Sequence, residues 1–480
     1  MEKKKRLSLS SFSILFIILI ALALVSVALA GQPFDPTLLT TPDAVAKVIP
    51  ASISTIVMAP FNGFKDAIEI CIFILMLGGY LSIVNKTGAL EAGIQSVVKK
   101  LKGNELIIIP ILMILFSIGG STFGMAEETL PFYALLTSVM VAAGFDTIVS
   151  VGTVLLGSGA GVLGSTVNPF ATGVAMDALK AINIDTNAGL VIGIGIALWI
   201  VTLLPFLYFV MSYAKKVKAD KGSTILSLQE QENMNREFRK ETSKDFSFTR
   251  KHKIVLILFG LSFLIMIISL IPWQNFGIMF FNNWTAFLTG NSFGEWYFGD
   301  LSMLFLIMGL IIAFVYRLKE KETISAFIAG ASDMLSVVLI IVVARGTSVL
   351  MASTHLDLLI LDRATNLLGG LSPVLFVVGS FIVYFFLAFL IPSSSGLAYV
   401  TMPIMGGLAY EMGIAPEIMI MIFASTHGVI NLVSPTSGIL MGGLEMNKIE
   451  YSTWIRFMRM PVLAILITNL AVLILSLFIL

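Results

Sequence analysis

Long apolar runs, separated by short polar breaks, set the pattern of this chain. Crossing roughly 30 Å of hydrocarbon takes about 20 apolar residues. On that measure the pattern predicts full spans at Phe12–Ala30, Phe64–Val84, Gly189–Tyr213, Ile254–Ile271, Leu301–Tyr316, Thr323–Ala344 and Met460–Leu480. Two more spans, Phe145–Lys180 and Ile414–Asn447, are interrupted by Gly, Ser, Asn and Pro and read as broken helices. Glu105–Ala143 and Ser372–Met412 carry small polar residues at their middles and read as hairpins that re-enter the bilayer and return to their own side. The polar segment between the halves has few aromatics and reads as a cytoplasmic linker. The expected organisation is a first half over 1–213, a linker over 214–253 and a second half over 254–480.

Composition supports this. Hydrophobic residues make up 57% of the 480 and charged residues 12%, against about 25% charged for a soluble domain; the mean hydropathy is +0.96. A soluble enzyme is excluded. With a net charge of +1 there is no basic surplus to neutralise nucleic-acid phosphates, and the lone Cys71 rules out disulfide and cysteine-zinc scaffolds. With both hairpins re-entrant, 25 of the 30 Lys+Arg fall on one side, leaving Lys47, Lys65, Lys180, Arg345 and Arg363 on the other. The positive-inside rule then puts the N-terminus in the cytoplasm and the C-terminus outside a cell membrane. Lys3–Arg6, the first apolar run and Ala28–Ala30 also describe a cleavable signal peptide. The length of the run favours an uncleaved helix.

An internal repeat crosses the linker. Ser121-Thr122-Phe123-Gly124-Met125-Ala126-Glu127-Glu128-Thr129-Leu130-Pro131 and Ser393-Ser394-Ser395-Gly396-Leu397-Ala398-Tyr399-Val400-Thr401-Met402-Pro403 share Ser, Gly, Ala, Thr and Pro at one offset of 272. Gly161-Val162 through Thr172-Gly173 is echoed, with a one- to two-residue slip, by Gly428-Val429 through Ser437-Gly438. Hairpins opening to opposite sides make this an inverted repeat, the plan of secondary transporters whose sites lie near the midplane at discontinuous helices. The expected fold is therefore an all-α polytopic membrane protein, an inverted-repeat transporter with two re-entrant hairpins and two broken transmembrane helices.

Chemistry concentrates at these four interruptions. Non-helical backbone at membrane depth is tolerated only when buried in protein or lining a wet cavity. Ser and Thr hydroxyls there can repair backbone groups, donate to a carboxylate or ligate a hard cation. Candidate ligands are Ser121 and Thr122; Ser165, Thr166 and Asn168; Ser393, Ser394 and Ser395; and Asn431, Ser434, Thr436 and Ser437. Ser121, Asn168, Ser395 and Ser434 are the candidates for sodium. Glu127 and Glu128 are expected about 8 Å down a helical arm past a tip at Gly119–Thr122, and an intramembrane carboxylate is by default a functional-site hypothesis. The second repeat has Tyr399 and Val400 there, so the acidity is one-sided. Asp333 and His427 also fall within spans; Asp333 could relay protons or pair with Arg345, and His427 could titrate near neutrality. The run Glu417–Met421 reads as ordinary packing. No metal-spaced His cluster, triad or phosphate loop points to an enzyme or a resident cofactor.

Asn85–Ala89, Gly119–Phe132, Gly164–Ala171, Pro392–Gly396 and Pro435–Gly438 resemble the YfcC-like family. That family is grouped with ArcD-type basic amino-acid antiporters in the ion transporter superfamily and carries the label C4-dicarboxylate anaerobic carrier. The resemblance runs nearly the whole length of the chain. It implies a scaffold domain, a mobile transport domain, a homodimer in the lipid bilayer, and a small solute bound between the hairpin tips and broken helices.

Charge decides between the substrate classes the resemblance allows. No Lys or Arg lies near any of the four interruptions, with Arg345 and Arg363 at the outer edge. A dicarboxylate would lack a fixed cation, whereas an arginine- or ornithine-type solute offers a carboxylate to the hydroxyls and a cation to Glu127 or Glu128. A basic amino-acid antiporter is the preferred expectation, and a sodium- or proton-coupled dicarboxylate carrier is the alternative. Exchange of like-charged solutes needs no coupling ion, while net uptake of an anion does. A receptor that binds without moving its solute would have no use for the mirrored half.

Overall fold

The computed structural model describes residues 11–39, 45–90, 92–93, 96, 104–238, 249–271 and 273–480. Among them, nine helical segments are long and apolar enough to cross a membrane. No strand is present among the described residues beyond an isolated bridge between Pro33 and Lys47. Lipid-facing and buried stripes can be read off single helices. On α8 (Ala188–Ala219) Ile196, Ile200, Leu204 and Tyr208 are exposed at every fourth position, while Leu198, Thr202, Phe206 and Val210 are buried. Within the buried stripe the Thr202 hydroxyl donates to Asn469 Oδ1 at 2.9 Å, and Asn469 Nδ2 to Ser425 at 3.3 Å. Such polar links hold helices together where lipid removes the hydrophobic drive.

The same succession of elements occurs on both sides of the 214–253 segment. A kinked pair comes first, α2 (Ile53–Asp66) with α3 (Ile68–Lys86) and α12 (Glu320–Asp333) with α13 (Leu335–Thr354). Next is a helical hairpin, α4 (Ile108–Phe123) with α5 (Leu130–Ala142) and α15 (Pro373–Leu390) with α16 (Ser394–Glu411). Then comes a broken helix, α6 (Thr147–Leu163) with α7 (Val174–Lys180) and α17 (Pro416–Val433) with α18 (Gly438–Met446). Each half ends in a long helix, α8 and α19 (Tyr451–Ile479). The arms at Glu105–Thr122 and Pro373–Leu390 are themselves among the nine candidate spans.

The kinked pairs cross through glycines. A Cβ on Gly63 would collide with Val342 O and Gly346, and one on Gly330 with Gly78 O, so only glycine lets these backbones approach. Phe64–Val84 is therefore not one straight span: it bends at Ala67, with α2 as an additional helix before it. Likewise Thr323–Ala344 belongs to two helices meeting at Met334, and the second continues ten residues past Ala344 to Thr354. Its Gly-Thr-Ser-rich continuation is helical because it packs against α1 (Ser11–Ala28) and α2, a tertiary effect that a hydropathy window misses.

The first hairpin turns later than its sequence suggests. Gly119 and Gly120 lie inside α4, where a Cβ on Gly120 would run into Ser158 O of α6. The reversal comes at Gly124, with φ +76°, followed by a single 3-10 turn at Glu127–Thr129. Glu127 and Glu128 thus sit at the tip, not on a helical arm beyond it.

The linker is folded as far as Phe238. Lys215–Lys218 extend α8, and α9 (Leu228–Phe238) docks on the bundle. Thr224 donates to Asp146 Oδ2 at 2.6 Å, and buried Glu230 accepts from Glu450 N at 2.9 Å and from Thr453 at 3.2 Å. Its polar composition reflects this hydrogen bonding more than a solvated tether. Residues 239–248 of the linker, and Lys3–Arg6, lie outside the described residues.

Candidate functional site

Both helix breaks are stitched to the neighbouring hairpin by hydroxyls. In the first half Ser121 Oγ donates to Gly164 O at 2.9 Å, and Thr166 returns to Ser121 O through its N–H (2.9 Å) and its hydroxyl (3.1 Å). In the second, Thr436 Oγ1 donates to Phe389 O at 2.9 Å while Ser434 Oγ accepts from Thr436 N at 3.1 Å. Broken helices expose carbonyls that need donors, and these side chains provide them. Ser165 donates to Val162 O at 2.7 Å, Thr122 to Ile118 O at 2.8 Å, and Ser437 caps α18 by accepting from Leu440 N at 3.3 Å. Six of these seven candidates hold the breaks in shape, and Thr122 bonds back within α4.

A second set lines one cavity of about 80 Å³, room for a few waters or the polar end of a small solute. It is formed by Glu127 and Glu128 of the first tip, Asn168 of the first break, Ser393, Ser394 and Ser395 of the second tip, and Asn431 of α17. Glu128 is buried and accepts from Ala126 N at 2.9 Å. Asn168 caps the second half of its broken helix, accepting from Phe170 N at 3.0 Å and Ala171 N at 3.3 Å, with its amide turned to Ser165 at 3.0 Å. Ser393 caps α16 by accepting from Gly396 N at 3.3 Å, whereas the hydroxyls of Ser394 and Ser395 take no partner among the described residues. Of the four sodium candidates, Asn168 and Ser395 border this cavity, and Ser121 and Ser434 belong to the two stitches.

Further residues share the cavity. His427 Nε2 lies 3.0 Å from Pro392 O, an acceptor only, so Nε2 carries the proton and Nδ1 accepts from Asn431 Nδ2 at 3.2 Å. His427 thereby ties the second tip to the second broken helix. Arg345 corrects the expectation that no cation approaches the interruptions. It stands mid-way along α13, because that helix extends beyond the apolar run, and it lines the cavity. Its partner is Asp66 at 3.7 Å, not Asp333, which is exposed at the α12–α13 kink. A shorter repeat would have signalled this region: Gly63-Phe64-Lys65-Asp66 and Gly330-Ala331-Ser332-Asp333 mark the two kinks. Tyr297 and Phe170, packed ring to ring at 5.2 Å, complete the rim. The Met-rich run of α17 is buried packing, with Glu417 accepting from Asn187 N at 2.7 Å.

The family model for the C4-dicarboxylate anaerobic carrier, DcuC, matches residues 9–478. The chain belongs to that family. A Haemophilus influenzae protein, described only as uncharacterised, is 33% identical over 421 residues, covering 86% of this chain and 76% of the relative. Escherichia coli YfcC, named as a candidate basic amino acid antiporter, is 27% identical over 83% of this chain and 76% of its own length. Among solved structures, the Alcanivorax borkumensis YdaH transporter aligns over 97% of both chains at 15% identity and TM-score 0.45. Neisseria gonorrhoeae MtrF aligns over 99% of this chain and 96% of its own at 18% identity and TM-score 0.46. A carrier-family chain with nine candidate spans among its described residues is a multi-pass membrane transporter.

Proposed function

We propose that this transporter is a basic amino-acid antiporter of the arginine/ornithine type, working by alternating access around the cavity between the two hairpin tips. The observation that carries the reading is the joining, on one cavity, of two carboxylates from one tip and three hydroxyls from the other. A solute with a cationic end and a carboxylate end matches such a pair of walls, and a relative named for basic amino acids supports the class. In this reading the halves 1–213 and 254–480 are oppositely oriented, both hairpins re-enter the bilayer, the N-terminus is cytoplasmic and the C-terminus outside, and the working unit is a homodimer.

A sodium- or proton-coupled carboxylate carrier is the second reading. Arg345 on the cavity wall favours it by supplying a fixed cation, and the family description names C4-dicarboxylates. Counterflow in proteoliposomes separates the two. Labelled arginine that accumulates against internal ornithine without sodium supports antiport. Sodium-dependent accumulation of labelled succinate, with no arginine exchange, overturns it in favour of the carrier.

A further inference from the structure

The guanidinium of Arg345 is poorly matched to its surroundings. Its side chain is only 17% exposed, yet its ion pair with Asp66 spans 3.7 Å and leaves Asp66 half exposed. No hydrogen bond to Arg345 occurs among the described residues. A guanidinium has five donors in a rigid fork shaped for a bidentate carboxylate, so this one is charged, largely desolvated and incompletely used. Donors left unfilled on a cavity wall are available to a carboxylate, with which they make charge-assisted, bidentate bonds. On the same cavity stand the hydroxyls of Ser394 and Ser395, which take no partner among the described residues, beside Ser393 at the start of the 18-residue helix α16, whose N-terminal amides add positive potential. The carboxylates of Glu127 and Glu128 border the same space.

We infer that Arg345 is the specificity-determining residue for a free carboxylate on the transported solute, with Asp66 as an internal stand-in that the solute displaces. Arg345 belongs to the kinked helix pair, while Ser394 and Ser395 belong to a hairpin tip. A carboxylate shared between them joins the two elements only when solute is bound. Asp66 occupies the guanidinium between cycles and keeps an unpaired cation from standing in the cavity. This inference rests on the cavity being the transport site, and it holds for an amino acid or a dicarboxylate.

The test is binding to the purified full chain of two probes that differ by one carboxylate, arginine and its decarboxylated amine agmatine. Wild type is expected to prefer arginine, and Arg345→Gln to lose roughly 10- to 100-fold in arginine affinity while agmatine changes less than about threefold. Asp66→Asn, which removes the ion-paired carboxylate without touching Arg345, is expected to tighten arginine binding. Equal losses for both probes in Arg345→Gln, or weaker arginine binding in Asp66→Asn, would overturn the inference. If Arg345→Gln fails to fold, Asp66→Asn still decides. Should wild type bind succinate and not arginine, the basic amino-acid reading fails, and the same variants are read on succinate against butyrate. A wild type that binds none of these carboxylates overturns the inference as well.

Discussion

The first hairpin ends in two carboxylates, and the second ends in three hydroxyls. Both tips follow the same eleven-residue pattern, and both adjacent helix breaks are closed by a threonine hydroxyl donating to a hairpin carbonyl, Thr166 to Ser121 and Thr436 to Phe389. The frame is repeated while the chemistry is not. The same holds for the kinked pairs, where Gly63 and Gly330 both serve close packing but only Asp66 meets an arginine. In the proposed reading a repeated frame would give two gates of similar mechanics, and an unrepeated lining one asymmetric site between them.

The largest expected break in this comparison comes from removing the acidity of the first tip. The paired change Glu127→Gln with Glu128→Gln is expected to cost about 100-fold in arginine affinity while the protein stays folded, because a hydrogen bond to a charged group is worth roughly 1.5–3 kcal/mol. Isothermal calorimetry with a melting curve on the same sample checks both halves of that statement. The tip glycines should separate next. Gly124 has φ +76° and faces Asn168, with 2.7 Å to an added Cβ, so Gly124→Ala is expected to slow transport more than tenfold at a backbone cost of about 1–2 kcal/mol. The equivalent Gly396 starts a helix and would meet only the Ser393 side chain, at 3.2 Å. Gly396→Ala should leave transport within about twofold, since alanine costs nothing extra in a helix. Comparable rates for the two variants would show that the tips do not differ in this way.

Smaller effects sharpen the picture. His427→Leu leaves the Pro392 carbonyl without its donor, an expected loss of about 1–3 kcal/mol that should appear as faster amide exchange around 391–397 and not in the first tip. Thr166→Val and Thr436→Val should each lower stability by about 1 kcal/mol and by similar amounts. Melting temperatures that differ widely between these two would argue against equivalent stitches.

Much of the frame was legible in the sequence because Gly and Pro punctuate it. Gly164 through Pro169 and Ser434 through Gly438 announced the broken helices, and the recurrence of Ser, Gly, Ala, Thr and Pro paired the hairpins. The position of the first turn was misleading, since Gly119-Gly120 has the composition of a turn but serves a helix crossing against α6. The division of the hydroxyls was hidden too. Ser121 and Ser395 belong to the same residue class, and only the fold shows one spent on Gly164 O and the other open to the cavity. Arg345 was placed at an edge because its apolar run stops one residue earlier, at Ala344, whereas helix propagation depends on packing over the whole of Leu335–Thr354.

In the proposed reading solute is carried at the cavity between the tips. Counterflow of labelled arginine into ornithine-loaded proteoliposomes, comparing the paired Glu127→Gln and Glu128→Gln variant with Thr166→Val, tests this most directly. The prediction is accumulation by wild type and Thr166→Val and none by the paired variant. Undiminished accumulation by the paired variant would contradict it.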